Sequence, residues 1–284
     1  MNEQLLLSKR LFEEASRFEE QNDAVSCGLA ISLLQDSAEL LTWALIKHRN
    51  VSTRDQSGFT TNLELLERDG ALIPQKSKLL ELNKARVGFK HYGNLPNPTE
   101  ATKFRTYVED FLRETMQREF SVDWDSLSLV DLLPYAEVRA RLKDAETSIA
   151  SGDLNAAVME ASVAKVMLFA LLGRFVPTVD HSLGQVDRAL AQVPELQGTE
   201  PFTYLVRYLE MLREIALISF LGFPLTDYQF LKNTLYEAHK SMNGKWTVYN
   251  NRPFRLSEEI CRKQIKCLVA FGIRTQAMLR TGDA

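Results

Sequence analysis

The chain has 284 residues, of which 45% are hydrophobic and 25% are charged. This composition is typical of a globular protein with one large core or two modest ones, and it excludes a low-complexity or disordered chain. The formal net charge of -3 argues against a broad electrostatic surface for nucleic acid, although a local basic site remains compatible with it.

The cysteines and the absence of familiar motifs limit which covalent, metal and cofactor sites the chain can be expected to have. The cysteines are Cys27, Cys261 and Cys267, an odd number without a Cys-x-x-Cys pair, so neither disulfides nor structural zinc are expected and a cytoplasmic location is the default. The first residues do not show a basic stretch followed by an apolar one, and no uninterrupted apolar run of ~18 residues occurs, so neither a leader nor a membrane span is expected. No phosphate loop or metal-ligand spacing occurs, so no cofactor and no metal are predicted.

Hydrophobic side chains at helical spacing predict five helices in the first 120 residues. The predicted helices cover 3–20, Asn22 or Asp23 to about 49, 60–69, 75–91, and Thr99 to about 120. Thr99 is the predicted N-cap of the last helix, without a full capping box. The order of a long pair, a short helix, a fourth helix and a closing helix predicts a self-contained bundle over 1–120.

The second part of the chain is also predicted to be helical. Residues 121–134 form a connector that Trp124, Leu127 and Leu129 are expected to anchor, because these apolar side chains favour a docked segment over a free tether. Asn243-Gly244 predicts a small β-hairpin at about 243–251. The predicted helices cover 135–151, 153–173, 182–193, 201–221, 225–241 and 256–279. The sequence therefore predicts an all-α protein with domains 1–120 and 121–284 and one small hairpin.

Four residues separate Arg86 from His91 near the end of the fourth predicted helix. Metal-independent RNA cleavage needs a group that moves protons near neutral pH, which suits His, and a fixed cation, which Arg supplies as a planar fork. Asn83, Arg86 and Lys90 are spaced to share one helix face. His91 lies about 140° round the helix from Arg86, so one helix does not bring both groups together.

The Arg-x4-His spacing, the adjoining segment from Phe89 to Pro96 and the helix order resemble HEPN domains, which are all-α modules of many prokaryotic toxin and defence ribonucleases. The resemblance covers residues 1–120. It implies a metal-independent endoribonuclease, a toxin or antiphage effector, that cleaves RNA by attack of the ribose 2′-hydroxyl on the adjacent phosphate. It also implies a homodimer in which two motif helices face each other.

The resemblance also assigns roles to individual residues. His91 would carry protons and Arg86 would stabilise the charge that builds on the phosphate. HEPN domains often place a polar or acidic supporting residue on the second helix, where Asp36 and Glu39 lie, and Glu39 is the selected candidate; a purely structural carboxylate is the alternative. The remaining site residues are predicted to contact the RNA backbone or to support the site: Asn83, Lys84 and Lys90.

A second functional class stays open. Val87 stands where the family commonly has a polar residue, and the net charge is acidic. Both features favour a non-catalytic interaction or dimerisation module, or an accessory subunit of a defence complex. The expected partners are RNA for the enzyme, a second copy of the chain, and a protein partner of a defence or toxin–antitoxin system. The dimer geometry separates the two classes. Arg86 and His91 that are buried, or that face away from any cleft, would exclude catalysis, whereas two copies of each that line a basic groove would support it.

Overall fold

The structure is a computed structural model that describes residues 3–53, 57–172, 200–250 and 255–281. Within these ranges it contains ten α-helices and one two-stranded antiparallel sheet. The predicted fold class, all-α with one small hairpin, is confirmed. The chain divides into two compact units, Met1–Leu129 and Val130–Ala284.

The first unit is a bundle built around its second helix. That helix has 25 residues and packs against the other four, and it is apolar on most of its circumference, as a central helix must be. The helices are α1 (Glu3–Glu19), α2 (Ala24–His48), α3 (Phe59–Arg68), α4 (Lys76–Tyr92) and α5 (Pro98–Phe120).

Side-chain caps begin two of these helices. The Asp23 carboxylate accepts hydrogen bonds from the backbone N–H groups of Val25 and Ser26, which starts α2. The prediction of Thr99 as the cap of α5 was wrong, because Asn97 is the N-cap. Its side chain accepts from the Thr99 N–H at 3.0 Å, while Glu100 accepts from the Asn97 N–H at 3.0 Å, a full capping box.

The first unit continues beyond α5 to Leu129. Trp124 and Leu127 are buried, and the Trp124 ring packs edge-on against Phe12 at 6.0 Å. Lys9 donates from its ammonium to three backbone carbonyls, those of Trp124 at 2.9 Å, Asp125 at 3.3 Å and Leu127 at 2.6 Å. These contacts hold the segment after α5 on the N-terminal bundle, so residues 121–129 pack with the first compact unit.

The second unit is a helical hairpin covered by a long C-terminal helix. The antiparallel pair α6 and α7 packs against α10, and the sheet packs on α7. Its elements are a 3₁₀ helix (Leu129–Leu132), α6 (Ala136–Ala150), α7 (Leu154–Leu172), α8 (Glu200–Phe220), α9 (Leu225–Thr234), β1 (Glu237–Lys240), β2 (Trp246–Tyr249) and α10 (Glu258–Thr281). The predicted helix over 182–193 lies outside the described residues.

The predicted helix over 225–241 was wrong in its second half, because α9 ends at Thr234. Gln264 donates to the Thr234 carbonyl at 2.9 Å, and the Tyr236 N–H donates to the Ser162 hydroxyl at 2.9 Å. Both contacts come from distant parts of the chain and satisfy backbone groups that a continuing helix would have used. The next residues pair as β1 with β2, and Asn243-Gly244 lies in the turn between them.

Two helices, Ala24–His48 and Leu154–Leu172, are long and apolar enough to cross a membrane by length and composition alone. This is weak evidence for a span, because the core helix of a globular unit has the same composition. In α2, 67% of the apolar stretch is buried inside the protein, as its central position in the bundle requires. In α7 the buried share is 39%, and the helix packs against α6 and α10.

Candidate functional site

The predicted motif lies on a half-helix that α2 covers only in part. The buried residues of α4 are Leu79 and Leu82, and from residue 83 to its end at Tyr92 the helix has no buried residue. The helix ends at Gly93, whose φ of 67° is left-handed, and the Asn94 N–H donates to the Gly88 carbonyl at 3.1 Å. The second half of α4 therefore presents the motif at the surface of the first unit.

Arg86 is held from α2 by a carboxylate. Its Nη2 lies 3.3 Å from Asp36 Oδ1, with 25% of the Arg86 side chain and 37% of the Asp36 side chain exposed. The Arg86 Nε is buried and has no hydrogen-bond partner among the described residues. A guanidinium has five N–H donors in a rigid fork, so one contact orients Arg86 and leaves donors for an anion.

The carboxylate next to Arg86 is Asp36, whereas the sequence analysis selected Glu39. Glu39 accepts a hydrogen bond from Gln35 Nε2 at 2.8 Å instead. Both acids lie on α2, three residues apart, so helical periodicity alone places them on neighbouring parts of the same face. The rotation of α2 against α4 decides which acid meets the arginine, and no local sequence signal reports that rotation.

His91 is exposed in the last turn of α4 and makes no hydrogen bond or ion pair with the residues that the structure describes. It is not in hydrogen-bond contact with Arg86, as expected from their angular separation on one helix. The next side chain, Tyr92, is 75% exposed. Within a single chain, the imidazole is therefore free to meet a ligand or another molecule.

The positive charge of α4 is neutralised at its start and not at its end. Lys76 pairs with Glu67 at 2.6 Å and Lys78 pairs with Glu81 at 2.9 Å. The hydrogen bond from Lys78 also lowers the pKa of the Glu81 carboxyl. By contrast, two of the predicted RNA-binding residues are exposed and form no salt bridge with any described residue: Lys84 and Lys90. Asn83, on the face of Arg86, is half-buried.

The contact between α2 and α4 depends on a glycine. A Cβ atom at Gly28 would lie 2.2 Å from Cε2 of Phe89, so the ring packs directly on the α2 backbone. Large apolar side chains on the same two helices and just after α4 face solvent: Val25 is 54% exposed and Leu29 40% exposed on α2, and Leu95 is 60% exposed after α4. Together with Tyr92 these three residues form what we call the apolar rim of the motif.

The rest of the described structure offers less for chemistry than this site. A shallow depression on α5 is lined by Arg113, Glu114, Gln117 and Arg118, but carboxylates already occupy its arginines. In the described ranges, no three His, Cys, Asp or Glu side chains come together as ligands for a metal ion.

Comparison of the chain with protein-family models, with curated proteins and with solved structures gives no match. The resemblance to HEPN domains thus depends on the motif residues and the helix order alone.

Proposed function

We propose that this protein is a cytoplasmic, metal-independent endoribonuclease of HEPN type that acts as a toxin or antiphage effector. The observation that supports it most is the geometry of α4. Arg86 is oriented by Asp36, and His91 follows on a half-helix without a single buried residue. An arginine and a histidine that served only the core of the bundle would be buried and fully paired.

The proposed reaction uses the side chains at the end of α4. His91 accepts the proton of the ribose 2′-hydroxyl, the 2′-oxygen forms a bond to phosphorus, and the 5′-oxygen leaves and takes up a proton. The products carry a 2′,3′-cyclic phosphate and a 5′-hydroxyl. Arg86 binds the non-bridging oxygens as negative charge builds on them, and Asp36 holds its fork in position. Lys84, Lys90 and Asn83 bind the neighbouring RNA backbone.

We further propose that the active form is a homodimer joined at the second half of α4. One α4 leaves His91 and Arg86 on different sides of the helix, whereas two facing copies place an Arg86 opposite a His91. The apolar rim supports this proposal, because large exposed apolar side chains that cluster next to a functional motif are typical of protein interfaces.

RNA cleavage in the presence of EDTA tests the proposal. Wild type is expected to cleave, with cyclic-phosphate ends. His91→Ala is expected to lower the rate by about 10²–10⁴-fold, the usual contribution of a proton-transfer group, and Arg86→Ala by about 10²–10³-fold, the usual loss when a donor to the developing charge is removed. His48→Ala is the matched control, because His48 is also an exposed histidine in the last turn of a helix. Equal rates in wild type and both site variants would refute the assigned roles.

The interaction module is the second candidate function. Val87 and the apolar rim favour it, because apolar side chains around the motif suit a protein partner better than a polyanion. Leu29→Glu separates the two functions: its mass in solution reports the dimer and its RNA cleavage reports the enzyme. If Leu29→Glu is monomeric and no longer cleaves RNA, the result supports the dimeric nuclease. Loss of the dimer from a wild type that cleaves no RNA supports the module.

A further inference from the structure

The β-hairpin of the second unit has one covered face and one open face. Ala238 is buried, and Val248, its partner across the sheet, is half-buried. Glu237, His239, Thr247 and Tyr249 alternate with these residues and are all exposed. The sheet contacts α7, so the second set of side chains forms an open face that the core of this unit does not need.

Two aromatic rings lie on this open face. The rings of His239 and Tyr249 are 5.9 Å apart, and Tyr249 is 54% exposed. An exposed ring on a fixed strand loses little conformational freedom when a flat ligand stacks on it. Nucleic-acid bases are such ligands, because every base has a π-face.

The charge of the hairpin is opposite to that of the whole chain. Residues 237–250 contain Lys240, Lys245 and one carboxylate, Glu237, whereas the whole chain has a net charge of -3. Neither lysine forms a salt bridge with the residues that the structure describes, and the Lys240 ammonium lies 5.7 Å from the centre of the Trp246 ring. Both charges are therefore available to phosphates.

Hydrogen bonds fix the backbone of the turn between the strands. The Ser241 N–H and hydroxyl both donate to the Lys245 carbonyl at 2.8 Å. Asn243 accepts from the Lys245 N–H at 3.2 Å, and Gly244 supplies the left-handed φ of 82°. Lys245 closes this turn and precedes the strand that carries Tyr249 on the open face, whereas Lys240 alternates with His239 and shares the face of Ala238.

From the two exposed rings and from Lys245, which forms no salt bridge with the described residues, we infer that the open face of this hairpin binds single-stranded nucleic acid. Bases stack on Tyr249 and His239, and a backbone phosphate contacts Lys245 at the turn. The inference does not depend on the proposed nuclease, because it concerns a different compact unit and a step without chemistry. It adds a nucleic-acid contact in the second unit to the RNA contacts that the motif predicts in the first.

The first test measures stacking with a fluorescent 12-residue oligothymidylate and the full chain. This DNA has no 2′-hydroxyl, so the proposed nuclease cannot cleave it and the outcome is independent of that activity. Tyr249→Ala is expected to weaken binding about tenfold, and Tyr249→Phe by less than about twofold, because the ring and not the hydroxyl carries the contact. Tyr208→Ala is the matched control, since Tyr208 is equally exposed, at 54%, on α8.

The second test measures the salt dependence of the same binding. Each phosphate contact on a single strand contributes about 0.7 to the slope of log affinity against log salt concentration, so Lys245→Gln is expected to lower the slope by about 0.7, and Lys240→Gln, on the opposite face, by less. Lys143→Gln, which removes a lysine already paired with Asp131 at 3.0 Å, is expected to leave the slope unchanged. Thermal unfolding checks that each variant folds.

Three outcomes would overturn the inference. They are no binding of the oligothymidylate at low salt, equal affinity of wild type and Tyr249→Ala, and equal affinity for single strands and for a duplex of the same sequence. The last outcome would indicate general attraction to a polyanion, because the bases of a duplex are not available for stacking.

Discussion

The two compact units hold their helices together with different side chains. In the first unit, Arg49 at the end of α2 joins three helices: its fork binds Glu119 of α5 at 2.7 and 3.2 Å, and Nη1 lies 3.2 Å from Asp69 after α3. In the second unit, the Phe271 ring of α10 stacks on Phe169 at 5.0 Å and meets Phe223 edge-on at 5.2 Å.

The difference shows where each unit tolerates change. A charged fork fixes the ends of helices and leaves their faces available, whereas a cluster of rings fills a core that accepts little added volume. In the first unit the fork joins α2, α3 and α5, and α4 takes no part in these contacts. Each of the following variants tests one side of this comparison.

The largest effect is expected for Arg49→Met. The change keeps the aliphatic stem but leaves Glu119, whose side chain is only 8% exposed, without its partner, at a cost of about 2 kcal/mol in unfolding free energy. Arg118→Met is the control, because Arg118 pairs with Glu114 at 3.7 Å and both side chains are more than 40% exposed, so less than about 0.5 kcal/mol is expected.

Urea unfolding measures both variants, and hydrogen exchange assigns the change to α3 and the end of α5. Equal stabilities of Arg49→Met and Arg118→Met would show that the fork does not hold the first unit together.

Effects of similar or smaller size are expected for two glycines at helix contacts, Gly272 and Gly28. In Gly272→Ala, the new Cβ would lie 2.6 Å from Leu133 and 3.3 Å from Leu168, both fully buried, so about 1–3 kcal/mol is lost through overpacking. In Gly28→Ala, the half-exposed Phe89 ring can rotate away, and the better helix propensity of Ala offsets part of the cost, so less than about 1 kcal/mol is lost.

Thermal unfolding compares the stabilities, and the RNA cleavage assay reports on the displaced end of α4 in Gly28→Ala. A greater loss of stability for Gly28→Ala than for Gly272→Ala would contradict the proposed difference between the units.

The smallest effect is expected for Tyr228→Phe in the second unit. Burial, and then the Glu214 carboxylate that accepts its hydrogen bond, raise the pKa of Tyr228. A raised pKa stabilises the folded state below the usual tyrosine value of about 10, and this contribution is lost as the pH rises above it, because the unfolded chain ionises first. Tyr228→Phe should cost about 1 kcal/mol at neutral pH and less above pH 10.

Urea unfolding between pH 8 and 11 measures the difference from wild type, with the exposed Tyr208→Phe as the control. A difference that stays constant across this range would refute the role of the buried hydroxyl.

Local signals predicted most of the helices. Asp23, Gly93 and Asp153 mark helix ends through hydrogen bonds or backbone angles that involve residues a few positions away. The helices are therefore close to their predicted bounds wherever such a signal exists. The capping box of Asn97 and Glu100, three residues apart, is also a local sequence signal, although the predicted cap was Thr99.

Long-range contacts decided the helix ends that have no local signal. Thr234 ends α9 because Gln264 and Ser162, distant in the chain, bind the backbone at that point. The candidate site divides in the same way. The sequence placed Arg86 and His91 on one helix and two acids on another, whereas the choice of Asp36 over Glu39 required the packed helices.

The sequence by itself determined the helical class, the position of the turns and the residues able to do chemistry, because periodicity and capping act over a few residues. Only the tertiary structure decided which of these residues meet and which remain exposed. The physical reason is that the rotation of α2 against α4, like the seating of Phe89 on Gly28, is set by packing between segments about 60 residues apart, a distance over which no local pattern extends.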